Sequence, residues 1–209
     1  MAKTSIVAHF QKAKRWIEQS EYAEEAKNLQ ALYPNRVDAA AFFREYAHVV
    51  LASGYKWSNL DRLYPSLSKA LRDFDYLEIA DTPESVRRAG LSVFNHKGKI
   101  QAIVAMAVKL ASNDWGIFKA KLVGPYHLEE IDALPWIGPI TKYHLARNIG
   151  LDYAKPDRIL CEIAAEFGYS SDTRGVFEMV EAVRQPSGER PGVIDIILWR
   201  YDEQGRPLG

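Results

Sequence analysis

Apolar residues recur at intervals of three and four along most of the chain, the spacing that gathers them on one face of an α-helix. Phe42, Tyr46, Val49 and Val50 keep this period up to a break at Ser53-Gly54. Ile100, Ile103, Val104, Ala107, Val108 and Ala111 keep it over a second long helix, and Ile159, Ile163 and Phe167 over a third that Gly168 is placed to cap. Start signals agree. Asp81-Thr82-Pro83-Glu84 reads as a cap followed by proline in the first turn, and Pro156-Asp157 opens the helix through Phe167. Sustained alternation is scarce. Val193 to Trp199 is apolar on both faces apart from Asp195, which fits a buried strand or a buried terminal helix; a helix is expected because no other stretch would pair with a strand. The architecture predicted is all-α, with short loops and no internal repeat.

With 209 residues, 47% of them hydrophobic, the chain is long enough for one well-buried domain or two small ones. Its single cysteine, Cys161, excludes an internal disulfide, a four-thiolate iron–sulfur cluster and a cysteine-rich zinc site, and its place in ILCEIAAEF predicts a buried, inert thiol. The N-terminal stretch has no apolar signal core and no segment approaches the roughly 20 apolar residues of a membrane span, so a cytoplasmic protein is expected. Net charge is zero, which argues against indiscriminate binding to polyanions. The total hides a gradient: Lys97, Lys99, Lys109, Lys119 and Lys121 are opposed only by Asp114 between residues 95 and 125, which predicts either a local basic surface or an ordinary mixed-charge one.

The segment LPWIGPITKYHL, Leu134 to Leu145, reads as the corner between a helix over Leu128–Leu134 and another over Ile140–Ile149. Gly138 is able to take positive φ and make a corner too tight for other residues, with the free N–H groups of the second helix exposed beside it. Such a corner holds a phosphate without basic side chains, although an ordinary αα-hairpin turn has the same residues. Asp157, 19 residues past Gly138, stands at the mouth of another helix, where capping alone would account for it.

LEEIDALPWIGPITKYHLARNIG followed by AKPDRIL resembles the helix-hairpin-helix and aspartate module of the base-excision DNA glycosylases, the superfamily of endonuclease III and the adenine and alkyladenine glycosylases. There the hairpin commonly reads L-P-G-I-G-x-x-T-A, and an essential aspartate follows its second glycine by roughly 20 residues. EYAHVVLASGYKWSNLDRLYPSLSKAL resembles the helices that flank the base pocket and HKGKIQAIVAMAVKL the helix before the hairpin, so the resemblance covers residues 40–170, with the hairpin at 128–149 and the aspartate segment at 154–168. Residues 1–39 and 171–209 are left to supply a terminal helical lobe. The resemblance implies two lobes with a DNA-binding cleft, and an enzyme that flips a damaged or modified base and hydrolyses its N-glycosidic bond. Asp157 would stabilise the oxocarbenium-like sugar or orient water, and is expected to be ionised.

Departures from the family pattern refine this reading. Where strand-cutting members carry a Schiff-base lysine, two positions after the second hairpin glycine, this chain has Ile140, which implies a monofunctional enzyme that uses water. Lys142, about 200° further round the helix, is the alternative nucleophile of a glycosylase with lyase activity, or else a phosphate contact or a solvated side chain. Trp136 replaces the first hairpin glycine and would lie along the sugar–phosphate backbone or plug the core; together with Gly138, Ile140, Thr141 and Lys142 it forms the expected DNA contact. Tyr55 and Trp57 are candidates for the base pocket or the gap left by the flipped base, or equally for the core. Asn95, His96 and Lys97 fit either a place near that groove or a polar loop capping the next helix, His144 reads as a surface residue, and the five histidines show no metal-ligand spacing. The expected partner is double-stranded DNA bearing a damaged or modified base, bound by a monomer associated with the nucleoid. No cofactor is implied, apart from the structural monovalent cation that this family can hold at the hairpin. A helix-hairpin-helix DNA-binding protein without activity is the competing class.

Overall fold

Short acidic side chains start many of the helices. Asp38, Asp75, Asp114, Asp157 and Asp172 each accept a hydrogen bond from a first-turn N–H, satisfying donors that the helix itself leaves free. The computed structural model describes residues 5–55 and 57–207, apart from the side chains of Trp57 and Ser58. The expected base-pocket residue Trp57 thus has its side chain outside the described residues. In chain order the described α-helices are α1 (Ile6–Glu18), α2 (Ala23–Ala31), α3 (Ala39–Ala52), α4 (Trp57–Ala70), α5 (Tyr76–Asp81), α6 (Pro83–Val93) and α7 (Lys97–Ser112). They continue with α8 (Trp115–Val123), α9 (His127–Asp132), α10 (Thr141–Asn148), α11 (Arg158–Glu166), α12 (Thr173–Ser187) and α13 (Pro191–Glu203). The described residues form no strand, and no helix among them is long and apolar enough to cross a membrane. The all-α expectation holds.

The chain divides into two compact units, residues 35–145 and the combination of 1–34 with 146–209. The sequence placed the boundaries near 39 and 170. The second lies instead inside α10, so α11 and Asp157 belong to the unit that holds both termini.

In the 35–145 unit, α3 and α7 carry most of the buried face: Phe42, Phe43, Tyr46, Val49 and Val50 on α3, with Ile100, Ile103, Val104 and Met106 on α7. α3 follows the three-and-four period read from the sequence; α7 follows it as far as Ala107, but Val108 and Ala111, expected on the same face, are exposed, and Met106 and Leu110 are buried in their place. α6 approaches α7 closely at Gly90, where a methyl group would stand 3.1 Å from the Ile100 side chain. Pro83 occupies the first turn of α6 as expected, but Thr82 makes no side-chain cap; its hydroxyl donates back to the Glu78 carbonyl at 3.3 Å.

In the other unit α13 is the central element. Helices α1, α2, α11 and α12 all pack against it, and Val193, Ile194, Ile196, Ile197, Leu198 and Tyr201 are buried among Phe10, Ile17, Leu160, Ile163 and Met179. A helix covered on every side has no polar face to show, which is why its sequence carries no clear period. Gly168, at φ +91°, ends α11 by letting the Tyr169 N–H reach the Ala164 carbonyl at 2.9 Å.

Asp195 is the exception within this apolar helix. One oxygen, Oδ2, accepts the backbone N–H of Lys155 at 2.6 Å and pairs with Arg147 at 3.0 Å, while Oδ1 is buried with no hydrogen-bond partner. Burial pushes its carboxyl above the ordinary carboxylate range and the Arg147 guanidinium opposes that shift. Removing the acid strands a nearly buried arginine, so Asp195→Ala is expected to lower stability by about 3 kcal/mol in urea unfolding, where an ordinary surface substitution changes it by about 0.5 kcal/mol or less.

Candidate nucleic-acid interface and acid site

The hairpin corner runs from the end of α9 to the start of α10, both shorter than the helices expected over Leu128–Leu134 and Ile140–Ile149. The left-handed conformation expected of Gly138 belongs to Trp136, at φ +63°. An L-residue pays roughly 1–2 kcal/mol for that backbone, so something must hold it there. Two contacts do. The Trp136 ring lies against Gly98 at the first turn of α7, so closely that a methyl group on Gly98 would stand 2.3 Å from it, and it meets the His96 ring edge-on at 4.9 Å. Beside it, the buried Tyr46 hydroxyl donates to the Pro135 carbonyl at 2.7 Å.

Gly138 has a different task. Its N–H donates to Thr141 Oγ1 at 2.7 Å and its carbonyl accepts from the Lys142 N–H at 3.0 Å, which closes the first turn of α10. Among the described residues the N–H groups of Ile140 and Thr141 make no hydrogen bond, and Ile140 itself is 37% exposed. An unpaired pair of N–H groups at the start of α10 can receive an anion. Lys142 pairs with Asp132 at 3.5 Å and lies over the Tyr143 ring, so its ammonium is partly neutralised at the foot of α9. His144 is buried, edge-on to His48 at 6.1 Å, and not the surface residue expected.

Trp136 is also one end of a run of rings. His96 stacks on Phe94 at 6.0 Å between centroids, Phe94 meets Tyr55 at 5.0 Å, and Tyr55 and Trp136 are 43% and 46% exposed. The loop after α3, the loop before α7 and the hairpin corner thus form one aromatic shelf. Asn95 and Lys97 flank its middle on either side of His96, whose Nδ1 accepts the Lys99 N–H at the start of α7.

Lys99 lies under the shelf. Counted among surface lysines in the sequence, it is 1% exposed, donating from Nζ to the carbonyls of Leu51, at 2.9 Å, and Ser53, with Nζ 4.6 Å from the Tyr55 ring centroid. Its position one turn before Ile103, on the apolar side of α7, was the available signal. The basic surface expected from residues 95–125 loses a member. Burial lowers the Lys99 ammonium from its ordinary 10.5 to about 8.

Asp157 stands at the start of α11 as the sequence implied. Oδ1 accepts the N–H groups of Ile159 and Leu160 at 3.1 and 3.2 Å. Oδ2 accepts Trp199 Nε1–H at 3.1 Å and pairs with Lys155 Nζ at 3.0 Å. Four donors converge on one carboxylate. Trp199 lies one turn beyond Asp195 on α13, so the two residues grip the segment before α11 at Asp157 and at the Lys155 backbone. Cys161 is half-buried, its thiol donating to the Pro156 carbonyl at 3.8 Å and pushed above the ordinary thiol range by burial. Among the described residues no group of three or more His, Cys, Asp or Glu converges on a metal position. No family model, curated protein or solved structure matches the chain.

Two outcomes follow from this geometry. Between pH 8 and 10.5 the unfolded chain keeps a proton that folded Lys99 has released, so this group raises stability as pH climbs through that window and imposes its full burial cost below about 8. Urea midpoints at both ends of the window should therefore rise more in the wild type than in Lys99→Met, tyrosine titration being common to both. Gly98→Ala should expel the Trp136 ring while the helices survive, seen as a near-ultraviolet circular dichroism change matching that of Trp136→Ala with the far-ultraviolet spectrum intact.

Proposed function

We propose that the protein is a DNA glycosylase that removes a damaged or modified base by hydrolysis without cutting the strand. The observation that carries the reading is the second oxygen of Asp157. Capping α11 uses Oδ1 alone, whereas Oδ2 is held by a tryptophan on another helix and by Lys155, an arrangement that a cap does not need. A carboxylate fixed in this way suits the stabilisation of positive charge on a sugar as its bond to the base breaks.

The hairpin and the shelf support the same reading. The free N–H groups of Ile140 and Thr141 give a DNA phosphate a seat at the start of α10, and exposed rings at Tyr55 and Trp136 offer faces on which a displaced base stacks whatever its hydrogen-bonding edge. Ile140 is unable to form an imine, and Lys142, the other amine of the hairpin, is engaged by Asp132.

A panel of duplex oligonucleotides, each bearing one damaged or modified base, tests the reading by alkali cleavage at the abasic sites formed. The wild type should release one class of base, and Asp157→Asn, which keeps the capping oxygen, should slow release roughly 100-fold or more while DNA binding stays within about threefold. Release at the wild-type rate by that variant would remove Asp157 from the chemistry. Binding without release from any oligonucleotide would favour a helix-hairpin-helix module without activity. A covalent adduct trapped by borohydride would overturn the water-using mechanism, with Lys142 and Lys155 the amines to replace.

A further inference from the structure

The shelf in the 35–145 unit has a charged underside. Lys99 Nζ is spent on the carbonyls of Leu51 and Ser53 and lies 4.6 Å from the centre of the Tyr55 ring and 5.9 Å from that of Phe94. Tyr55 is 43% exposed, so its ring offers surface to a ligand while the ammonium beneath is shut away from water. Two consequences follow from the position of this charge. The cation draws on the π-electrons of Tyr55, leaving the ring better suited to an electron-rich partner. A base stacked on that ring would also sit roughly 8 Å from a fixed positive charge with protein rather than water between them.

We infer that the shelf selects neutral, electron-rich bases and rejects bases that carry a formal positive charge, such as ring-alkylated purines. At roughly 8 Å and an effective dielectric near 20, a unit charge on the base meets repulsion equivalent to a discrimination on the order of thirtyfold. Because Lys99 is enclosed, mobile ions screen it poorly, which separates its effect from that of surface lysines on the DNA backbone. This inference rests on the reading of the shelf as a stacking platform and narrows the substrate class of the proposed enzyme.

Two isomeric bases isolate the charge: N1-methyladenine, a cation, and N6-methyladenine, which is neutral. Each is placed as a bulged nucleotide in the same labelled duplex, beside a bulged abasic analogue, and binding is read by fluorescence anisotropy at pH 7. The wild type should bind the neutral isomer about thirtyfold more tightly than the cationic one, and the ratio should persist as salt is raised even though both affinities fall. Lys99→Met should bring the ratio to about twofold or less. Tyr55→Ala, at an exposed ring, should weaken both isomers towards the abasic duplex. Equal binding of the isomers by the wild type, a ratio that collapses with salt, or a ratio unchanged in Lys99→Met would each overturn the inference. Failure of the enzyme reading looks different: the ratio would survive while no base is released from any oligonucleotide. Equal binding of the abasic analogue and N6-methyladenine would instead overturn the shelf itself.

Discussion

A single ammonium organises the face of the 35–145 unit. α3 ends at Ala52 with carbonyls that its own ladder leaves unsatisfied, and Lys99 reaches across from the first turn of α7 to take those of Leu51 and Ser53. That one side chain joins the end of α3, the start of α7 and the Tyr55 ring above it. Without it the carbonyls of Leu51 and Ser53 would lose their ammonium partner, and the rings of Tyr55 and Phe94 would lose the cation both approach. The cost is a lysine kept out of water, tolerated because two carbonyls and two ring faces replace its hydration.

The hairpin corner depends on the same helix start. Trp136 holds a left-handed backbone that glycine would adopt freely, and its ring is received by Gly98, one residue before Lys99. The pair behaves as an exchange of roles: the small residue expected at the corner sits on α7, and the large side chain sits at the corner. The result extends the aromatic surface to the edge of the turn that opens α10. A glycine at 136 would give a less strained corner and no ring there.

In the other unit, α13 ties the acid into the core. Asp195 and Trp199, one turn apart, hold the Lys155 backbone and the Asp157 carboxylate, so the position of the candidate catalytic group is set by the helix most deeply buried in its unit. Rigid support of this kind matters for a charge that must be in place before a transition state forms. The unpartnered Oδ1 of Asp195, which shares that state with His9 Nε2 among the described residues, shows that the grip has a cost.

The helical class, the ends of α3 and α11, the helix at 193–199 and the position of Asp157 at a helix mouth were legible in the chain because each follows from local rules: apolar period, capping chemistry and spacing. Helix lengths at the hairpin were overestimated, since α9 gives way after Asp132 to turns in which the Leu134 and Ile137 N–H groups reach the Ile131 and Leu134 carbonyls three residues back and not four. The exchange between Trp136 and Gly98, the burial of Lys99 and His144, and the grip of Trp199 on Asp157 join residues 38 to 96 positions apart where a partner is named, and no local pattern encodes such pairs. Sequence by itself determined the helical class, the helices with a clear apolar period or cap, and which residues have the chemistry to act. Only the tertiary structure decided which of those residues face one another, because burial and desolvation depend on neighbours that the chain brings together from far apart.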